Sequence, residues 1–243
     1  MFVGRSQSTS KTLEMKPSKI KYDNQEVEEE KDLGVWVTKD MKPAMQCEKA
    51  ARSANMALGM IRRSFHYRNK ETLVPLYKTF VRPRMEFAVA AWAPWTEKDA
   101  AVLEAVQKRA LRMISDIQGD NYENRLAEAG LTTLSERRRR GDMIEVFKMM
   151  RGFNRVEREE WFDIMHDGED RPTRPTRSNT AVTDNIENRR ADILRKPSAN
   201  GEMRNNFFSI RVVRRWNELP DSIKTQKSTN AFKSAYDTWN KNQ

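Results

Sequence analysis

Residues 43–65 read PAMQCEKAARSANMALGMIRRSF. Within them Cys47, Ala51, Ala54, Leu58, Ile61 and Phe65 recur at every third or fourth position, the spacing of one helical face. Pro43 suits the first turn, where its missing N–H costs nothing. Helical signals continue downstream. Asn69 is placed to cap a second helix with Leu73, Leu76, Tyr77, Phe80 and Val81 on its inner face. Pro83 breaks or kinks that helix, and Met85, Val89 and Trp92 carry the period on to Pro94. Thr96 opens a third helix with Leu103, Val106, Ala110 and Ile114 inward. Tyr122 to Ala129 is a short helix stopped by Gly130. Thr133-Leu-Ser-Glu136 is a capping-box pattern that starts a helix running through Ile144 and Phe147 to Gly152.

Upstream the pattern differs. Ile20 to Val27 reads as strand, turn, strand, and the β-branched and aromatic run Leu33 to Val37 reads as a further strand ended by Thr38-Lys39-Asp40. Beyond Gly152 an acidic stretch runs from Glu157 to Asp170. The proline-broken basic segment Arg171 to Arg177 follows, and residues 166–204 read as a long loop with weak strands. Order returns at Asn206, with Phe208, Val212, Trp216 and Leu219 on one face until Pro220. Thr229 is placed to cap a last helix with Phe232, Tyr236 and Trp239 inward. The fold expected is mainly α, with a small N-terminal β element, a helical bundle and a helical C-terminal region.

Composition narrows the function. The chain has 243 residues, 45 Lys and Arg against 35 Asp and Glu, and a formal charge of +10. Its 9 glycines are too few for a turn-rich all-β fold. The single Cys47 excludes an internal disulfide, and with His66 and His166 it cannot make a four-ligand structural zinc site without carboxylates. The longest apolar stretch, Phe87 to Trp95, is far below the ~20 residues of a membrane helix. The N-terminus has no signal-peptide core. A basic intracellular protein, nuclear or cytoplasmic and not in a membrane, is expected.

Catalytic motifs are sparse. There is no phosphate-binding Gly-rich loop and no His-Glu-x-x-His. Ser64 and His66 point apart in a helix. The carboxylates of 157–170 fit a solvated face better than a metal site. Cations say more. Arg62, Arg63, Arg68, Lys70, Lys78, Arg82 and Arg84 crowd one stretch, facing the single acid Glu71. Lys108 and Arg109 lie on the third helix. Arg137, Arg138, Arg139 and Arg140 span more than one helical turn, so they cannot all lie in one core-facing stripe. A third group includes Arg189, Arg190, Arg195, Lys196, Arg204, Arg211, Arg214 and Arg215. Arginine forks suit phosphate, and the three groups together favour a nucleic-acid groove over solvated helix faces.

Ordered motifs over nearly the whole chain resemble one family. They are Lys31-Asp-Leu-Gly-Val-Trp-Val, Leu76-Tyr-Lys-Thr-Phe-Val-Arg-Pro-Arg-Met-Glu-Phe, Ala91-Trp-Ala-Pro, and Leu103-Glu-Ala-Val-Gln-Lys-Arg-Ala. They continue with Leu131-Thr-Thr-Leu-Ser-Glu-Arg-Arg-Arg-Arg-Gly-Asp, Asn206-Phe-Phe-Ser and Arg211-Val-Val-Arg-Arg-Trp-Asn-Glu-Leu-Pro. The chain resembles the C-terminal part of non-LTR (LINE-type) retrotransposon reverse transcriptases of the jockey and chicken-repeat kind.

The resemblance implies a division of labour. Residues 1–40 would be the late palm, with Leu33 and Gly34 as the primer-grip turn. Residues 41–118 would be the helical thumb that clamps template–primer. Residues 119–165 would form a basic and acidic helical region, 166–204 a linker and 205–243 a C-terminal helical segment. The family's aromatic-x-Asp-Asp turn is missing, for no Asp-Asp pair occurs. The catalytic palm, with its Mg²⁺, is then expected upstream, so the chain would bind RNA or an RNA–DNA template–primer without polymerising. It would hold no cofactor, and would partner the palm and fingers of the same polyprotein. The other function considered is a truncated or retained element-derived protein acting as an interaction module.

Overall fold

A computed structural model describes residues 28–165 and 193–242. The expected hairpin at Ile20–Val27, Arg189, Arg190 and most of the 166–204 loop lie outside them. The protein is mainly helical, with two small antiparallel two-stranded sheets.

The chain opens on a hairpin. Strand β1 (Glu29–Asp32) pairs with β2 (Val35–Thr38), Lys31 opposite Trp36. Leu33 (φ 44°) and Gly34 (φ 90°) form the two-residue turn between them. Positive φ at both central residues matches the twist of the flanking strands. This corrects the expectation that a strand begins at Leu33. Turn chemistry overrides β propensity here, and the second strand begins at Val35.

Helix α1 (Ala44–Ser64) follows, with Cys47, Ala51, Ala54, Leu58 and Ile61 buried as expected. Phe65 lies past its end, in extended backbone, and is exposed. Asn69 caps α2 (Lys70–Leu76), accepting from the Thr72 N–H at 3.2 Å. The chain then widens into a π turn (Tyr77–Val81) before α3 (Arg82–Glu86). The π turn puts one extra residue into the helix and shifts its register. Tyr77 and Val81 stay inside, while Phe80 is 55% exposed. Strict 3.6-residue periodicity places Phe80 inward, and the register shift is why it is not. Ala88, at φ 50°, breaks the run before the short α4 (Val89–Trp92).

Thr96 caps α5 (Glu97–Arg112), and Asn121 caps α6 (Tyr122–Ala129), which ends on left-handed Gly130. The capping box at Thr133 is present and starts α7 (Leu134–Met150). Short α8 (Arg158–Trp161) leads into β3 (Asp163–Met165), which pairs with β4 (Ile193–Arg195). Then come α9 (Glu202–Asn205), α10 (Phe208–Arg211), α11 (Val213–Glu218), α12 (Asp221–Lys224) and α13 (Thr229–Lys241). Ser228, not Thr229, caps α13, accepting from the Ala231 N–H at 3.1 Å. The two hydroxyls are adjacent in sequence, and only Ser228 takes the extended capping conformation.

Two apolar clusters form. The first runs from Cys47 to Leu134 and is built of alanines and aliphatics from α1, α2, α5 and α6, with the π turn. The second runs from Met143 to Tyr236 and is aromatic: Phe147 stacks on Phe232 at 4.2 Å, and Trp216 lies 6.4 Å from Phe232. Helix α7 belongs to both, with Leu134 in one cluster and Met143 onward in the other. Helix α6 packs with the first cluster, and the second half of α7 packs with 205–236.

Candidate nucleic-acid interface

The sixteen cations singled out from sequence divide by burial. Arg62, Arg63, Arg68, Lys70, Lys78, Arg84, Lys108, Arg109, Arg139 and Arg214 are exposed. Arg82, Arg137, Arg140, Arg211 and Arg215 are part-buried, and Arg138 is buried.

The inward set bolts elements together. Arg137 forms a side-on pair with Glu86, through Nε and through Nη2 at 2.9 Å, tying α7 to α3. Arg140 does the same with Asp237 at 2.6 and 2.8 Å, tying α7 to α13. Arg211 holds Asp142 at 3.0 and 2.9 Å and donates to the carbonyls of Ala90 and Asn206. Arg215 donates to the Tyr236 hydroxyl and to Asn240. Burial lowers the Arg138 pKa, and the nearby carboxylates of Glu104, Glu86 and Asp142 oppose that shift. Burial also raises the Asp142 carboxyl above its usual range, against the pull of Arg211.

From sequence, the arginine run should leave at least two residues for solvent or a partner. Only Arg139 of the four is fully exposed. A single core-facing stripe requires one buried face, whereas α7 lies between two clusters and meets carboxylates on several sides. Those carboxylates are Glu86 and Asp237.

Of the outward set, Arg62, Arg63, Arg68, Lys70, Arg84 and Arg109 lie on or beside α1, whereas Lys78 belongs to the π turn, Arg139 to α7, and Arg214 to α11, where it pairs with Glu218 at 2.9 Å. Lys49, Arg52, Ser53, Met56, Met60 and Arg63 follow one another at helical spacing on the face opposite the core; Lys49 is half-buried and pairs with Glu29 of the hairpin at 3.8 Å, and Glu48 lies one turn before Arg52. Met56 and Met60 are 60% and 51% exposed. At 21 residues the helix is about 31 Å long, close to one turn of a duplex. Arg62, Arg68 and Lys70 lie within five residues of exposed Tyr67 just past its C-terminal end, and Arg68 donates to the Arg62 carbonyl. Arg109 of α5 donates to Asn55 of α1, whereas Lys108 lies 4.9 Å over the Tyr122 ring of α6.

The N-terminal end of α1 opens into a groove of about 490 Å³ between the hairpin, α1 and the π turn. Trp36, Phe80 and Phe87 line it, with Lys31, Lys49 and Arg84. Lys49 lies 4.3 Å over Trp36. Arg84 donates to Ser53 at 2.9 Å. The Trp36 N–H donates to Gln46 at 2.9 Å and seats the hairpin on α1. Leu33 is 90% exposed at the hairpin tip. Gly34 approaches Phe87 so closely that a Cβ there would meet the ring at 3.1 Å.

Sequence reasoning missed Lys49, Arg52, Trp36, Phe80 and Phe87. Lys49 and Arg52 are legible as the reverse face of the α1 core stripe. Phe80 is hidden by the π turn, and Trp36 by the length of the strand assigned to it.

Several motif residues turn out to be structural. Gln107 is fully buried, donates to Glu104, the Tyr122 hydroxyl and the Thr132 carbonyl, and accepts from Tyr77 at 2.6 Å. Asn217 exchanges hydrogen bonds with the Leu194 backbone at 3.0 and 2.8 Å, pinning β4 to α11. Among the described residues no helix is long and apolar enough to cross a membrane, and no three His, Cys, Asp or Glu side chains converge as metal ligands. Comparison with protein-family models, curated proteins and solved structures gives no match.

Proposed function

We propose that this chain binds a nucleic-acid duplex along α1 and the hairpin groove, as the template–primer-binding C-terminal part of a LINE-type reverse transcriptase. The observation that carries the reading is the stripe of Lys49, Arg52 and Arg63, which runs about 21 Å along α1 and ends in a groove lined by aromatics. Cations at that spacing meet phosphates along a backbone. Exposed rings beside them supply apolar faces for bases or sugars at a strand end. The Leu33–Gly34 turn lies at the groove, where the family resemblance puts the primer grip. An A-form-like hybrid is held by shape and backbone, which suits a stripe of Met, Lys and Arg without base-reading Asn or Gln. Catalysis of polymerisation is not part of the proposal, since this chain lacks the metal-binding Asp-Asp turn.

The exposed Met56 and Met60 also suit a protein partner, the second reading. Salt separates the two. Affinity for an RNA–DNA hybrid should fall linearly in log–log form as salt rises, with a slope of roughly −3 or steeper. No binding to the hybrid at low salt, or a flat salt response, would move the stripe to a protein-interaction role.

A further inference from the structure

A second cationic concavity lies on the other side of the π turn. It has a volume of about 560 Å³, in the range of small-ligand sites. Lys78 and Arg82 come from the π turn and α3, Arg137 and Arg140 from the first turns of α7, and Lys241 from the last turn of α13. Glu136 and Asp237 are the carboxylates in its wall. Both are engaged: Glu136 accepts from the Thr133 N–H in the capping box, and Asp237 is held by Arg140.

The arginines are positioned before any ligand arrives. Arg137 and Arg140 each spend Nε and Nη2 on a carboxylate. A guanidinium has five N–H groups, so the Nη1 edge of each remains, and it makes no hydrogen bond among the described residues. Arg82 Nε is buried without a hydrogen-bond partner, and its nearest carboxylate, on Glu86, is 3.7 Å away. Glu86 is thus shared by two guanidinia, Arg82 and Arg137. Burial and then the Arg137 charge push the Arg82 pKa down. Lys78 and Lys241 have no ion-pair partner among the described residues. Such a gathering of like charge opposes folding, and a multiply charged anion relieves it.

We infer that this concavity between the π turn, α7 and α13 binds a phosphoryl group carrying two or more negative charges, as a strand's terminal phosphate or a free polyphosphate. A terminal phosphate carries close to two charges at neutral pH against one for an internal diester, and its oxygens match guanidinium edges. The volume takes a chain end or a nucleotide-sized anion, not a duplex. The inference does not depend on α1 binding a duplex.

The test is titration calorimetry on the full chain and on a Lys78→Ala, Lys241→Ala double variant, both exposed positions that leave the fold intact. Probes are inorganic tripolyphosphate and one RNA–DNA hybrid with a 5′-phosphate or a 5′-hydroxyl. Tripolyphosphate should bind the parent at least tenfold more tightly than the variant. A 5′-phosphate that strengthens hybrid binding about tenfold in the parent alone assigns the pocket to strand ends. Tripolyphosphate binding without that gain assigns it to free polyphosphate. Failure of tripolyphosphate to bind, or equal binding to parent and variant, overturns the inference. Loss of 5′-hydroxyl hybrid binding would instead count against α1, because the double variant leaves its stripe untouched.

Discussion

Helices α1 and α7 carry the same kind of residue to opposite ends. On α1, Lys49, Arg52 and Arg63 share a face with methionines; Lys49 pairs with Glu29 at 3.8 Å, while Arg52 and Arg63 have no ion-pair partner among the described residues. On α7, Arg137 and Arg140 lie against Glu86 and Asp237, and Asp142 lies against Arg211. The difference lies in the neighbours. Helix α1 packs one face on the first cluster and leaves Arg52 and Arg63 exposed on the other, so those two cations are available. Helix α7 is enclosed by two clusters, so its cations must find partners within the chain or remain costly buried charges. A basic run is therefore evidence of a polyanion partner only when its helix has a free face.

The comparison breaks first at the aromatic cluster that encloses α7. Trp216 is 1% exposed. Trp216→Ala should cost ~3–5 kcal/mol in urea unfolding, leaving hybrid binding by the folded fraction unchanged. Weakened binding at unchanged stability would put Trp216 against the nucleic acid and dissolve the distinction between the helices.

Next is the Asp142–Arg211 pair, with side-chain exposures of 12% and 17%. Asp142→Ala leaves the Arg211 guanidinium part-buried without its carboxylate. The expected loss is about 3 kcal/mol. Cys47 lies in the other cluster, so its labelling by a thiol reagent reports whether both regions open together through α7. A loss below about 0.5 kcal/mol would return Arg211 to the set of available cations.

A smaller effect separates the clusters by pH. Burial pushes the Cys47 thiol from 9.0 up to about 12, and burial likewise raises the Tyr77 and Tyr122 phenols. These groups keep their protons in the folded state while the unfolded chain releases them. Stability should be constant below pH 9 and fall as pH rises toward 12, by about 1 kcal/mol for Cys47 by pH 10. Thermal melts at pH 8, 9 and 10 measure this, and Cys47→Ala should flatten the first part of the decline. A decline unaltered in that variant would mean that Cys47 titrates normally.

The smallest stability effects compare arginines within the run. Arg137→Ala and Arg140→Ala each remove a half-exposed bidentate pair, expected to contribute about 1 kcal/mol. Arg139→Ala, at the exposed position, should change stability by less than ~0.5 kcal/mol. Equal effects at all three in urea unfolding would remove the distinction between paired and free cations.

Most helices are legible in the sequence because their stop and start signals are local. Asn69, Thr96, Asn121 and the Thr133 box each cap where their spacing says, since a cap involves only the next three residues. Phe80 is misplaced from sequence because a π turn changes the period on which its placement depends. Leu33 and Gly34 are misassigned because a run of strand formers conceals a two-residue turn. The α7 arginines are misread because their partners are distant: Glu86 is 51 residues from Arg137, and Asp237 is 97 from Arg140. The ordered motifs show the same limit. Glu104, Gln107, Arg211 and Asn217 mark contacts that assemble the fold, while Lys49 and Arg52, outside the motif segments, carry the candidate interface.

The most direct test of the contrast between α1 and α7 is the salt dependence of hybrid binding for a Lys49→Ala, Arg52→Ala, Arg63→Ala variant. The slope of log K against log salt should shrink by roughly two to three units, one for each phosphate that the variant no longer neutralises. Folding stability should stay within about 1 kcal/mol of the parent, because these side chains lie outside both clusters. An unchanged slope with weakened folding would contradict the account, placing the binding surface elsewhere and making α1 a structural element like α7.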